Sequence, residues 1–150
     1  MQNLESTPAC VPAHLWAVGV ISLLWNSFGC FDYAQTKLDP VGYMISMGMG
    51  EAEIAYTQAM PAWLSVFWAL GVWGSLAGSI LLLLRSRHAV TAFAVSLVGL
   101  AVSQIYQFTD STIPESMYGT AMIGVTAVIW ASLLFFLWYA NRMKAAGVLR

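Results

Sequence analysis

Four long apolar runs, each free of Asp, Glu, Lys and Arg, constrain this chain more than any other feature of its sequence. They cover residues 11–31, 62–84, 89–108 and 118–140. A helix needs about 20 apolar residues to cross a bilayer, and the runs lack the apolar/polar alternation of a membrane β-barrel strand. Only 9% of the 150 residues are charged, against about a quarter in soluble domains. The sequence therefore predicts an all-α integral membrane protein, a single membrane domain over residues 1–150, whose four spans form an antiparallel four-helix bundle.

The charge balance and the lack of catalytic motifs exclude two classes of function. Six basic and seven acidic residues give a net charge of −1, whereas a protein that binds nucleic acid needs a basic surface. The sequence has no GxSxG, HExxH or phosphate-binding loop, the motifs that place a nucleophile, a metal or a phosphate. We therefore expect no enzymatic activity, no cofactor and no nucleic-acid partner.

Charged residues divide between the connecting segments by sign. Basic residues follow the second and fourth runs: Arg85, Arg87, Arg142, Lys144 and Arg150. Acidic residues lie in the first and third loops, where Lys37 is the one basic residue: Asp32, Asp39, Glu51, Glu53, Asp110 and Glu115. Because Lys and Arg are retained on the cytoplasmic side, we predict a multi-pass protein of the bacterial inner (plasma) membrane with both termini in the cytoplasm. An even number of spans agrees with this orientation.

The first loop, residues 32–61, predicts short interfacial helices on the periplasmic side. Asp39-Pro40 matches a helix N-cap followed by proline at the first helical position. Glu51 and Glu53 suit the first turn of a second helix over about residues 50–60, because the helix dipole favours acids there. We assign no metal site, although three methionines leave copper binding open, since thioethers suit Cu(I). These methionines are Met44, Met47 and Met49.

Small residues in the runs predict where helices approach each other. The second run contains Gly71, Gly74 and Gly78, and the fourth contains Gly124. Helices in lipid associate through such residues, because lipid is as apolar as leucine. Packing within the bundle is favoured over a dimer seam, since GxxxG matches are common in apolar segments.

Polar side chains concentrate in the periplasmic halves of the first and third runs. Five of them are candidate ligand-binding residues: Asn26, Asp32, Tyr33, Gln104 and Gln107. If the two runs meet there, Asn26 and Gln104 share a network with Asp32 at its mouth. Such a group is either a binding pocket that opens to the periplasm or a set of hydrogen bonds between helices.

Several stretches resemble a family of small bacterial four-span inner-membrane proteins. The stretches are residues 24–33, Pro61-Ala62-Trp63, residues 68–74, Gly78-Ser79 and Leu84-Arg85. The resemblance extends over about residues 14–106 and implies the four-span fold. Some members are labelled sugar transporters, but the family is uncharacterised and the resemblance implies no established activity. A four-span chain without an internal repeat would need at least a dimer for alternating access.

Two functions of different classes follow from the sequence. The first is a non-enzymatic multi-pass membrane protein, either an accessory or assembly subunit of a larger membrane complex or a small-molecule-binding bundle. The alternative is an oligomeric transporter or channel with a polar pocket that faces the periplasm. Besides the lipid bilayer, the partners would be other subunits of such a complex or further copies of the chain. The low charge within the spans favours the first function.

Overall fold

The computed structural model describes residues 10–150, and the six α-helices in that range confirm the all-α class predicted from the sequence. They are α1 (Ala13–Leu38), α2 (Pro40–Ser46), α3 (Glu51–Ala59), α4 (Ala62–Leu83), α5 (His88–Thr109) and α6 (Thr120–Ala145), with a 3-10 turn over Glu115–Tyr118. The helices α1, α4, α5 and α6 are each long and apolar enough to cross a membrane. The protein is therefore a multi-pass membrane protein with four spans.

The short helices of the first loop begin where the sequence predicts. A carboxylate oxygen of Asp39 accepts a hydrogen bond from the main-chain N–H of Gly42 at 3.0 Å, and Pro40 occupies the first helical position of α2. Helix α3 follows Gly50 and has Glu51 and Glu53 in its first turn. The cap and the two acids therefore act as start signals, which confirms the predicted short helices.

Two span boundaries differ from the sequence prediction. Helix α1 continues past residue 31 to Leu38. Its polar end is held by two contacts, since Asp32 accepts a hydrogen bond from Tyr43 and Lys37 donates one to Ser65. Helix α6 extends to Ala145, with Arg142 and Lys144 in its last turn. Cations there are stabilised by the negative end of the helix dipole.

Helices α4 and α5 form the closest contact in the bundle. A Cβ added to Gly99 would lie 2.5 Å from the carbonyl oxygen of Phe67 and 2.6 Å from the main-chain nitrogen of Gly71. A Cβ added to Gly74 would lie 3.2 Å from that of Ser96, whose hydroxyl donates to the carbonyl of Gly71 at 2.5 Å. The glycines of the second span therefore pack within the chain, as the sequence favours.

Helix α1 packs against the other side of α4, and α6 packs against α5. In α1 the buried residues recur at the spacing of one helical face: Leu15, Gly19, Ser22, Asn26 and Cys30. Phe136 of α6 stacks on Phe93 of α5 with ring centroids 6.0 Å apart. The order of neighbours across the bundle is thus α1, α4, α5 and α6. At the start of α1, the ring of His14 also meets that of Tyr139 in α6 edge-on, with centroids 5.7 Å apart.

The bundle is closed at one end by the residues that follow α6. The main-chain N–H of Arg150 donates to the carbonyl of Arg85, and the carbonyl of Arg150 accepts from the N–H of Arg87, both at 2.8 Å. Val148 and Leu149 are buried in the same apolar cluster as Phe93 and Phe136. We call this closed end, with the turn between α4 and α5, the basic end. The end that carries α2, α3 and the third loop is the acidic end.

Helix α6 separates from the bundle towards the acidic end. None of its residues before Leu133 is buried, and space within 4 Å of a Cβ added to Gly124 is empty. In the membrane-spanning part of α6, 11% of the residues are buried, compared with 22–28% in the other spans. The sequence expectation that Gly124 contributes to packing within the bundle is therefore wrong.

We predict that Gly99→Ala lowers the free energy of unfolding in detergent by about 1–3 kcal/mol, the usual cost of overpacking. The added methyl group would meet main-chain atoms that cannot rotate away. Gly124→Ala is the matched control, since the same methyl group meets open space there. Thermal unfolding followed by circular dichroism measures both variants. Equal stability of the two would contradict the α4–α5 contact.

Candidate functional site

Asn26 lies in the contact between α1 and α4. Its side-chain nitrogen donates to Ser79 Oγ at 2.9 Å and to the carbonyl of Ser75 at 3.3 Å. The expected network between Asn26 and Gln104 is therefore wrong. The reason is that two serines spaced four residues apart give α4 a polar face of its own. Serine is short and uncharged, so the sequence did not indicate this face. Both N–H donors of Asn26 are used within the protein.

Asp32 and Tyr33 extend the α1–α4 contact to the acidic end. Asp32 accepts a hydrogen bond from the hydroxyl of Tyr43 at 2.8 Å, which ties α2 to α1. The ring of Tyr33 meets that of Trp68 edge-on, with centroids 4.9 Å apart. The ammonium of Lys37 lies 5.8 Å from the centroid of each ring and donates to Ser65 Oγ at 2.6 Å. These side chains anchor the end of α1 at the depth where amphipathic aromatic residues favour the interface.

Gln104 and Gln107 lie apart from the other three candidates. Gln104 Nε2 donates to Gln107 Oε1 at a long 3.4 Å. They follow Leu97 and Leu100 by seven residues each, so they continue the face of α5 that packs on the apolar cluster at the basic end. The structure thus divides the five candidates into an α1–α4 group and an α5 pair. Their role in binding a ligand stays a prediction.

A hydrogen-bonded cap joins α3 to the third loop at the acidic end, and the sequence analysis did not find it. Tyr56 Oη donates to Asp110 Oδ2 at 3.1 Å. The other oxygen of Asp110 accepts from the main-chain N–H and the hydroxyl of Thr112, at 2.9 and 2.7 Å. Ser116 donates to the carboxylate of Glu53. An acid that closely follows the third run is the one signal that could have indicated this cap.

A small cavity lies beneath the cap. Its volume is about 80 Å³, and it is lined by Tyr56, Ala59, Met60, Tyr106, Asp110 and Thr112. Pockets that bind organic ligands measure about 300–1,000 Å³. The cavity therefore has room for a few water molecules and not for a sugar or another organic substrate.

The hydrogen bonds of the cap shift the pKa values of its members in opposite directions. Burial, then the hydrogen bond to Asp110 and its negative charge, raise the pKa of Tyr56 from 10 to about 12. The hydroxyl and the main-chain N–H of Thr112 hold the pKa of Asp110 below its usual value. The neutral phenol and the charged carboxylate are therefore the forms that the folded cap stabilises.

The three methionines considered for copper have different surroundings. The side chain of Met44, in α2, is buried, Met47 is 54% exposed and Met49 is partly buried. Within residues 10–150, no group of three or more His, Cys, Asp or Glu side chains is arranged to hold a metal ion. The absence of a metal site stays a prediction.

Comparisons with models of protein families, with curated proteins and with solved structures give no match to this chain. Function is therefore argued from the geometry alone. Among the described residues, every fully buried side-chain nitrogen or oxygen has a hydrogen-bond partner. The buried polar groups of the bundle are thus paired within the protein.

We predict that the cap loosens as the pH rises from about 10 to about 12. Stability that a group with a raised pKa contributes is complete below its unfolded value and is lost as the pH passes its folded value. Tyr56→Phe should speed amide hydrogen exchange in residues 110–119 at neutral pH and remove one tyrosine that titrates near pH 12. Tyr118→Phe is the control, because the hydroxyl of Tyr118 makes only a long 3.5 Å contact with the carbonyl of Gln107. Unchanged exchange in the Tyr56 variant would show that the cap bond does not hold the third loop.

Proposed function

We propose that the protein is a non-enzymatic accessory subunit of a larger assembly in the bacterial inner membrane, and that it binds a transmembrane helix of its partner through one face of α6. The observation that carries this proposal is the separation of α6 from its own bundle over residues 120–132. The residues of this half are exposed or only partly buried, which leaves most of its surface available to lipid or to another helix.

The composition of that half of α6 favours a helix over lipid. Four small residues recur at helical spacing on one face: Thr120, Gly124, Ala127 and Ala131. This small-residue face lies opposite Leu133, Phe136 and Met143, the buried side of α6. Small residues let two helix backbones approach closely, and they gain nothing from lipid contact.

The rest of the chain supplies an internal comparison. In α4 and α5, glycines and serines are in contact with a neighbouring backbone, as at Gly71, Gly74 and Gly99. On α6, the same outward face continues towards the basic end with large side chains, Leu134 and Trp138, which are 48% and 52% exposed. The small-residue face is thus confined to the half of α6 that is separated from the rest of the bundle.

The geometry of Asn26 weighs against the alternative, an oligomeric transporter or channel. Its two N–H donors are both directed to α4, so no amide donor remains for a substrate in a pocket that opens to the acidic end. The sugar-transporter label carried by proteins that the chain resembles therefore has no support from this site.

The proposed orientation places the basic end in the cytoplasm, because Lys and Arg are retained there. We predict that an impermeant thiol reagent added to intact spheroplasts leaves Cys10 unlabelled. Cys10 is exposed and Cys30 is buried, so a Cys30→Ser variant reports Cys10 alone. Lysis of the spheroplasts is the control and should permit labelling. Labelling before lysis would reverse the orientation.

We predict that Gly124→Leu disrupts binding of the partner without destabilising the chain. The larger side chain meets open space in the isolated bundle, but it would separate two helices that cross at this position. Native mass spectrometry of the gently extracted, tagged chain should show a second subunit, and the variant should reduce its occupancy at least tenfold, or about 1.4 kcal/mol. Val125→Leu is the control, on the opposite face at the same depth.

Photo-crosslinking tests the same face directly. A photoreactive residue at Ala127 should give one adduct of defined mass, and one at Leu134, on the same face nearer the basic end, should give none. An adduct of twice 16.4 kDa would identify a second copy of this chain and contradict the accessory role. The lack of a protein adduct at Ala127 would show that lipid covers this face, and adducts at both positions would contradict a contact confined to the small-residue half.

A further inference from the structure

The basic end brings together positive charges that are far apart in the sequence. Arg85 and Arg87 belong to the turn between α4 and α5, and Arg150 follows α6. Two main-chain hydrogen bonds of 2.8 Å fix Arg150 to Arg85 and Arg87, and Arg85 Nε donates to the carbonyl of Val148 at 3.3 Å. In the sequence these residues belong to two separate clusters. The fold brings them together into one surface, which we call the arginine patch.

No carboxylate side chain within residues 10–150 faces this patch. The acidic residues of that range all lie at the acidic end. Arg142 and Lys144 add two further cations in the last turn of α6. The positive end of the α5 dipole also lies here, since α5 begins at His88. The five positive charges exceed the negative charge at this end, even when a main-chain carboxylate at Arg150 is counted.

The surroundings of the patch are apolar and lie at the level of the membrane interface. Leu84, beside Arg85, is 71% exposed. The guanidinium of Arg142 lies 5.5 Å from the centroid of Trp138, whose indole is 52% exposed. Tryptophan is enriched at the depth of lipid headgroups. A ligand for this surface therefore needs a negative headgroup and an apolar body, which distinguishes a phospholipid from a nucleic acid or a soluble acidic protein.

We propose that the arginine patch is a binding site for the headgroup of an anionic phospholipid, assembled by the docking of residues 148–150 on the α4–α5 turn. Arginine presents several N–H donors in a fixed fork that matches a phosphate. Basic pockets between membrane helices bind phospholipid headgroups in this way. The site lies at the basic end, beyond the small-residue half of α6 to which we assign the partner, and it does not depend on that assignment.

Native mass spectrometry of the full chain in detergent, titrated with phosphatidylglycerol or phosphatidylcholine, tests the proposal. Phosphatidylglycerol should bind more tightly, and Arg87→Gln combined with Arg150→Gln should weaken it about 25-fold, about fivefold for each charge near a lipid surface. The side chains of Arg87 and Arg150 are exposed and their hydrogen bonds here are made by the main chain, so the docking should persist. Lys37→Gln, which removes one cation from the acidic end, should leave the affinity unchanged.

A second variant separates an assembled site from a simple excess of charge. Val148→Ser with Leu149→Ser keeps all five cations but removes the apolar anchors that hold Arg150 in place. Hydrogen exchange at Arg87 reports the release, and the preference for phosphatidylglycerol over phosphatidylcholine should then fall about fivefold or more.

Four results would overturn the proposal. They are equal affinity for the two lipids, an unchanged preference after release of residues 148–150, an equal effect of Lys37→Gln, and displacement of the lipid by inorganic phosphate alone. The last would show that the surface binds a free anion in place of a lipid.

Discussion

A bundle in lipid has no solvent to drive its helices together, because hydrocarbon is as apolar as leucine. The contact between α4 and α5 meets this constraint with backbones close enough that no side chain fits at Gly99. A connection of only a few residues, from Leu84 to Arg87, joins the two helices. The rest of the structure is placed relative to this pair: α1 lies along one side of α4, and α6 reaches α5 through Phe136.

The sequence predicted well the features that depend on local chemistry. Four uncharged runs could hardly fold as anything but spans, and Asp39-Pro40 determined the start of α2 because the cap and the proline act within one turn. The partner of Asn26 was not predictable in the same way. Ser75 and Ser79 look like ordinary small residues of a span, and which side of α4 they occupy relative to α1 depends on helix rotation, which no local pattern records.

The other unpredicted features are also long-range. Tyr56 and Asp110 are far apart in sequence, and their bond depends on how α3 lies over the third loop. Val148 and Leu149 follow the fourth run and are too few to show a periodicity, yet both are buried. Gly124 and Gly74 are both glycines within an apolar run, and they differ in their neighbours. Gly74 faces Ser96, whereas Gly124 faces empty space.

The docking of residues 148–150 on the α4–α5 turn bears on how the molecule is made. Domains acquire structure from the N-terminal side during synthesis, so the α4–α5 pair exists before Val148 leaves the ribosome. Arg85 and Val148 are separated by 63 positions, and until they meet, the carbonyl of Arg85 and the N–H of Arg87 lack their final partners. A chain whose α6 had inserted the wrong way round would carry these residues to the opposite membrane surface. It would leave Ala89 and Phe93 without the apolar residues that cover them. Closure of the turn therefore requires that α6 cross the membrane in the direction opposite to α5.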